Sequence, residues 1–209
     1  MNRRTLLAST AAAFALGTVR TFAQEAAEAE APASRVVEMT MGAEDAPVTV
    51  LEYGSFTCPH CASFHSDFFK QMNADYIQTG KVRFIYRELV RNRVDIWAGM
   101  LARCGDPMRY FGVSDLLFDN QETWLSSGDP VTIADELQKI GLAAGYSADD
   151  LDACFTDAEL AQEILATSEA NAEADDITGT PTVFINGERQ RLTNYTDFAA
   201  AIDAALPAE

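Results

Sequence analysis

The chain has 209 residues, 48% of them apolar and 22% charged, which suits one domain of ordinary size, or one domain carrying a large insertion, with a real core. Acids outnumber bases 32 to 15, a formal net charge of −17. Such a surface repels phosphate, and no basic stripe with interleaved aromatics offsets the repulsion, so nucleic acid is excluded as an expected partner and a solvated acidic surface is the plain reading.

Residues 1–23 differ from the rest. Arg3 and Arg4 give a positive start, Leu6 to Leu16 an apolar stretch, and Thr21-Phe22-Ala23 resembles a cleavage site with small residues at its ends. This reads as a signal peptide. The apolar stretch is well short of the ~20 residues of a membrane-spanning helix, which makes an uncleaved anchor the weaker alternative. Asn2-Arg3-Arg4-Thr5-Leu6-Leu7 looks like a twin-arginine signal, but ordinary secretory signals also carry paired basic residues, so both routes stay open. Either leads out of the reducing cytoplasm, to where cysteines persist as disulfides, and the chain has four. Removal of the signal leaves 12 basic against 32 acidic side chains.

Residues 24–34 are Ala/Glu-rich, without aromatic or β-branched residues, and are expected to form a flexible leader. Folding is expected from residue 35. Val48 to Tyr53 reads as a buried strand closed by Gly54-Ser55, and a helix follows from Pro59 with Ala62, Phe64, Phe68, Phe69 and Met72 on one broad apolar stripe. After a turn at Gly80, Val82 to Tyr86 reads as a second strand. Residues 94–176 then carry helical patterns only: Trp97, Met100, Leu101 and Cys104 share one face, and Ile133, Leu137 and Ile140 repeat the spacing. Ser147-Ala148-Asp149-Asp150 and the stronger capping box Thr156-Asp157-Ala158-Glu159 are two helix starts. Strand character returns at Thr182 to Ile185, Asn186-Gly187 is a two-residue hairpin turn, and Phe198, Ile202 and Leu206 mark a closing helix. The pattern is an α/β domain, 35–93 with 177–209, interrupted by a helical insertion, 94–176.

The chemistry concentrates in Glu52-Tyr53-Gly54-Ser55-Phe56-Thr57-Cys58-Pro59-His60-Cys61, a C-x-x-C between a strand and a helix. Cys58 falls at the helix N-terminus, where unpaired N–H groups and the helix dipole favour a thiolate; Cys61, one turn in, closes a short disulfide. A stabilised thiolate is a better leaving group and favours the reduced enzyme, so the pair is expected to be oxidising. His60 is read as adding positive charge beside the thiolate, against the plainer reading of a surface histidine. Glu52 is either a buried acid of raised pKa relaying protons for Cys61, or an outward-facing acid at the strand end. A metal module built on Cys58, Cys61, His60 and His65 is a minor alternative, because the helix leaves at best three of the four convergent ligands that zinc requires. No metal and no cofactor are expected.

In these residues the chain resembles the DsbA-like periplasmic thiol:disulfide oxidoreductases, a branch of the thioredoxin superfamily. The resemblance runs from about Val36 to the C-terminus and is carried by Leu51-Glu52, Phe56, Cys58-Pro59-His60-Cys61, and Gly179-Thr180-Pro181-Thr182-Val183-Phe184 with Asn186-Gly187. It implies a thioredoxin fold with an all-helical insertion between the second and third strands, and a cis Pro181 facing the active disulfide; Gly-Thr-Pro alone would also allow an ordinary trans proline. It implies a periplasmic, monomeric dithiol oxidase acting on unfolded or partly folded exported proteins with cysteines, reset by a membrane redox partner. Thr180 departs from the valine that strong oxidases of the family often carry and is common among its isomerases, so isomerase or reductase activity is the alternative; isomerases, however, carry a dimerisation domain where only the leader stands here.

Cys104 and Cys154 belong to neither motif. Each lies on the apolar face of an expected helix in an exported chain, so a structural disulfide between them is expected, the alternative being two buried thiols packed as small apolar residues. Some members of the family resemble this chain in carrying such an extra pair.

Overall fold

The computed structural model describes residues 34–208; the signal peptide expected at 1–23 and nearly all of the leader lie outside the described residues. Among the described residues one mixed sheet of five strands has the order β1-β3-β2-β4-β5, with β1 Met39–Met41, β2 Val48–Gly54, β3 Val82–Glu88, β4 Thr182–Ile185 and β5 Glu188–Arg189. The central pair β2 and β3 is parallel, in a register that sets Glu52 opposite Tyr86, and β1, β4 and β5 join antiparallel. Strand β1 has no counterpart in the sequence reading. Its three residues are too few to show alternation, and what makes them a strand is the edge of β3. Asn186 and Gly187 both take positive φ, 48° and 83°, as a two-residue hairpin between β4 and β5 requires.

The helix from Pro59 is less regular than its apolar stripe foretells. It runs as α1 Pro59–Phe64, a π-helical turn His65–Phe69, α2 Lys70–Met72 and a second π-helical turn Asn73–Ile77. The widened turns still deliver Phe64, Phe69, Met72 and Ile77 to the core.

Between β3 and β4 the regular elements are all helical: α3 Arg93–Ala102, a 3-10 turn Pro107–Arg109, α4 Tyr110–Asp119, α5 Gln121–Leu125, α6 Pro130–Ala143, α7 Ala148–Phe155 and α8 Ala158–Ala174. These strands are third and fourth in the chain, not second and third, because of β1. Ser147 and Asp150 form the reciprocal capping box of α7. The box expected at Thr156 does not form. Thr156 closes α7 and donates to the Asp152 carbonyl, while Asp157 caps α8 by accepting from the Leu160 N–H at 2.9 Å. A carboxylate held at 2.8 Å by Arg35 is the stronger acceptor and takes the cap.

The helical block is tied to the sheet by a buried ion pair, Arg103 Nη2 to Glu88 Oε2 at 2.6 Å, with the Tyr110 hydroxyl donating to Glu88 Oε1 at 2.8 Å. Both lone-pair sets of the buried carboxylate are thereby used, the condition under which such a pair is tolerated. Helix α9, Tyr195–Ala205, buries Phe198 and Ile202 against the same core. No helix among the described residues is long and apolar enough to cross a membrane.

Candidate active site

Strand β2 ends at Gly54, and a short loop turns the chain into α1. A Cβ at Gly54 would lie 2.6 Å from the Tyr86 hydroxyl, so the glycine is what lets the Tyr86 ring cross the strand end beneath the loop. Cys58 is the N-cap of α1 and Pro59 opens it. The Cys58 carbonyl accepts from Cys61 N–H at 3.0 Å and Ala62 N–H at 3.2 Å, starting the helix.

The two sulfurs are reduced and buried, in unlike surroundings. Cys58 Sγ donates to the Thr180 carbonyl at 3.5 Å, across from the cis Thr180-Pro181 bond. Burial pushes the Cys58 thiol up, but the Thr180 side chain and the backbone N–H groups of Cys61 and His60, which favour the thiolate, outweigh it, and the net shift is downward from 9.0. Cys61 goes the other way. It is fully buried, with the Ser55 N–H at 3.4 Å, and desolvation together with the neighbouring Glu52 charge raises its thiol far above 9.0. One thiol is poised to ionise and the other to hold its proton.

Glu52 is buried, and burial, with Cys58 nearby, raises its carboxyl well above 4.5. The side chain faces inward, not outward at the strand end. Its Oε1 has no hydrogen-bond partner. Pro59 and His60 are exposed; what His60 brings to Cys58 is its backbone N–H. The histidines that a metal module would need diverge from the cysteines: His65 is buried between the rings of Phe69 and Phe118, with Nε2 3.2 Å from Asp115.

Two residues of the helical block grip the active-site loop. Asp95, buried on the first turn of α3, accepts from the Ser55 hydroxyl at 2.8 Å and the Thr57 N–H at 2.9 Å with one oxygen, and from the Thr57 hydroxyl at 3.1 Å and the Arg91 N–H at 3.0 Å with the other. Gln121, buried at the start of α5, donates to the Phe56 carbonyl at 2.8 Å and the Cys58 carbonyl at 3.0 Å. The sequence reading missed both. An acid in the first helical turn after the Asn92 cap reads as ordinary helix electrostatics, and only the fold reveals that it points inward.

Cys104 and Cys154 are bonded to each other, their Cα atoms 5.7 Å apart, joining the end of α3 to α7. The pair lies in the helical block.

The thioredoxin family model matches residues 34–204. A protein-disulfide oxidoreductase of Rickettsia bellii is 31% identical over 170 residues, 81% of this chain and 64% of the relative, so the chain spans less than two thirds of the length of that relative. Among solved structures, Wolbachia pipientis alpha-DsbA1 superposes with a TM-score of 0.72 at 24% identity, covering 80% of this chain and 90% of that one. A protein-disulfide isomerase from Novosphingobium aromaticivorans superposes with a TM-score of 0.73 at 22% identity, covering 82% and 98%. This chain belongs to the thioredoxin family, and its fold is that of the DsbA structure it superposes on.

Proposed function

We propose that the chain is an exported thiol:disulfide oxidoreductase, a monomeric dithiol oxidase of the periplasm that introduces disulfides into newly exported proteins. The observation that carries the reading is the opposed placement of the two thiols, Cys58 at the helix start with its pKa lowered and Cys61 beneath it with its pKa raised. In the oxidised enzyme a substrate thiolate attacks Cys58 Sγ. The Cys58–Cys61 bond breaks, a mixed disulfide forms, and Cys61 leaves as a thiolate that takes the proton of Glu52. A second substrate thiolate then attacks the substrate sulfur of the mixed disulfide, and Cys58 leaves as a thiolate; the substrate is oxidised by two electrons and the pair reduced. Only a stabilised Cys58 thiolate makes the second departure favourable.

Pro59, His60, Thr180 and Pro181 support the pair in this proposal, the exposed Thr180 backbone pairing with an extended cysteine-containing segment of an unfolded or partly folded substrate. Residues 35–93 with 177–209 act as the redox domain and 94–176 as the cover that shapes it, with Cys104–Cys154 as a structural bond. A membrane redox partner reoxidises the pair, and residues 1–23 serve as the cleaved export signal. The resemblance of Thr180 to the isomerases favours a second reading, disulfide isomerase or reductase on the same site.

The equilibrium of Cys58 and Cys61 against glutathione buffers separates the two. An oxidase holds its pair reduced even in oxidising mixtures, whereas a pair that stays oxidised in strongly reducing glutathione would overturn the oxidase reading.

A further inference from the structure

In that cycle Glu52 passes a proton to Cys61 in one half and takes one from it in the other, and returning to the same protonation state between the two requires exchange with solvent, yet only 4% of the residue is exposed and its Oε1 has no partner. A buried acid that turns over needs a path to water. On its far side is a cavity of about 10 Å³, room for about one water molecule, to whose wall Glu52, Tyr86, His65, Ser114 and Asp115 contribute, the rest being aromatic. Three polar atoms in these residues, Glu52 Oε1, Tyr86 Oη and His65 Nε2, are buried and unpartnered, the situation a single bridging water relieves.

His65 closes the remaining distance to solvent. Its Nε2 lies 3.2 Å from Asp115 Oδ1, out of hydrogen-bond alignment, and 4.0 Å from Asp119 Oδ1, while the Asp115 side chain is 49% exposed. The imidazole is sandwiched by Phe69 and Phe118 at 5.0 and 5.1 Å, and it opens the π-helical turn that departs from the regular helix. Such turns occur frequently at functional sites. The charged and titratable groups around the ring are Glu52 and Tyr86 across the cavity, Asp115 and Asp119 on α4, and Lys70, whose Nζ is 2.6 Å from Asp119 Oδ1.

We propose that His65 and Asp115 form the proton exit of the buried site, carrying protons between Glu52 and solvent through one water in this cavity. The proposal rests on the oxidoreductase reading. When Cys61 Sγ attacks a sulfur bonded to Cys58, its proton passes to the Glu52 carboxylate. Glu52 gives a proton to the water, the water gives one to His65 Nε2 of a neutral ring carrying its hydrogen on Nδ1, and the imidazolium passes it to Asp115, which exchanges with solvent. The reverse sequence recharges Glu52 when Cys61 leaves as a thiolate. No electron moves along the path.

The test loads Cys58 of the full chain with glutathione and follows release of glutathione by Cys61 as a function of pH. If wild-type protein takes up no glutathione, or never releases it, the oxidoreductase reading itself fails, whatever His65 does. Given release, His65→Gln and the half-exposed Asp115→Asn should each slow it by about tenfold or more at neutral pH with an altered pH profile, and imidazole in the buffer should restore His65→Ala. Wild-type rates in His65→Gln and Asp115→Asn overturn the proposal. So does slow release in the His65 variants that imidazole does not restore while Asp115→Asn is normal, since that pattern marks a packing role alone.

Discussion

Cys58 and Cys61 stand one turn apart at the open end of a single helix, whereas Cys104 and Cys154 lie 50 residues apart and join the end of α3 to α7. Around the first pair converge a helix start, the Thr180 carbonyl and a buried carboxylate, all of which act on charge. Around the second there is a helical core and the Asp150 carbonyl, 3.8 Å from Cys104 Sγ. The same bond is therefore asked for opposite properties. In the proposed function, the bond that closes a short loop beside a stabilised thiolate restricts the unfolded chain little and is given up, while the one that closes a long loop restricts it more and is kept.

The contrast is broken most completely by removing the attacking sulfur. Cys58→Ser is expected to abolish disulfide exchange, and Cys61→Ser to accumulate a mixed disulfide with substrate on non-reducing gels; trapping through Cys61 in the Cys58→Ser protein would reverse the roles. Next in size, Cys104→Ala with Cys154→Ala should lower stability by up to about 4 kcal/mol, the chain-entropy value for a loop of that length, while exchange at Cys58 persists. Denaturant melts paired with an exchange assay check this, and loss of exchange in a protein that remains folded would erase the division of labour between the pairs.

Asp95→Asn comes third. An amide cannot accept all the bonds that converge on the two oxygens, so a buried donor is stranded at a cost of about 2 kcal/mol, measurable in the same melts.

The fourth prediction makes the two bonds differ in sign. In the Cys104→Ala, Cys154→Ala background the reduced protein should gain stability in thermal melts relative to the oxidised one as pH rises toward 9.0, although the bond being broken is a cross-link. The lowered folded pKa of Cys58 contributes stability that is full above 9.0 and fades as pH falls through the lowered value; the raised pKa of Cys61 takes stability away only above 9.0. The advantage of the reduced form thus belongs to the window between the lowered Cys58 value and 9.0. The smallest effect is expected from Glu52→Gln. A carboxyl with a raised folded pKa contributes stability below 4.5 and loses it as pH rises through the folded value, so the glutamine variant should be the more stable at pH 7 and indistinguishable below about pH 4.5. Thermal melts across that range decide it.

What was legible in the chain was local. The strand, the C-x-x-C and the helix after it lie within a single run of sequence, and Asn186-Gly187 declares its hairpin in two residues. The grip of Asp95 and Gln121 was not legible, because their partners stand 38 to 65 residues away and nothing in a first-turn acid or amide tells which way it faces. His65 was noticed for its nearness to the cysteines in sequence, but the helix turns it away from them, toward Asp115 and the cavity behind Glu52. Strand β1 escaped for a third reason: it is specified by its neighbour, not by its own three residues.

The Gln121 contacts have a practical side. Both run to main-chain carbonyls, those of Phe56 and Cys58, which every residue carries. The amide therefore holds the loop in the same way whatever side chain replaces the sulfur. A serine at position 61 leaves both contacts standing, which makes the mixed disulfides trapped on Cys58 faithful casts of the working enzyme and suits them to capturing its natural substrates.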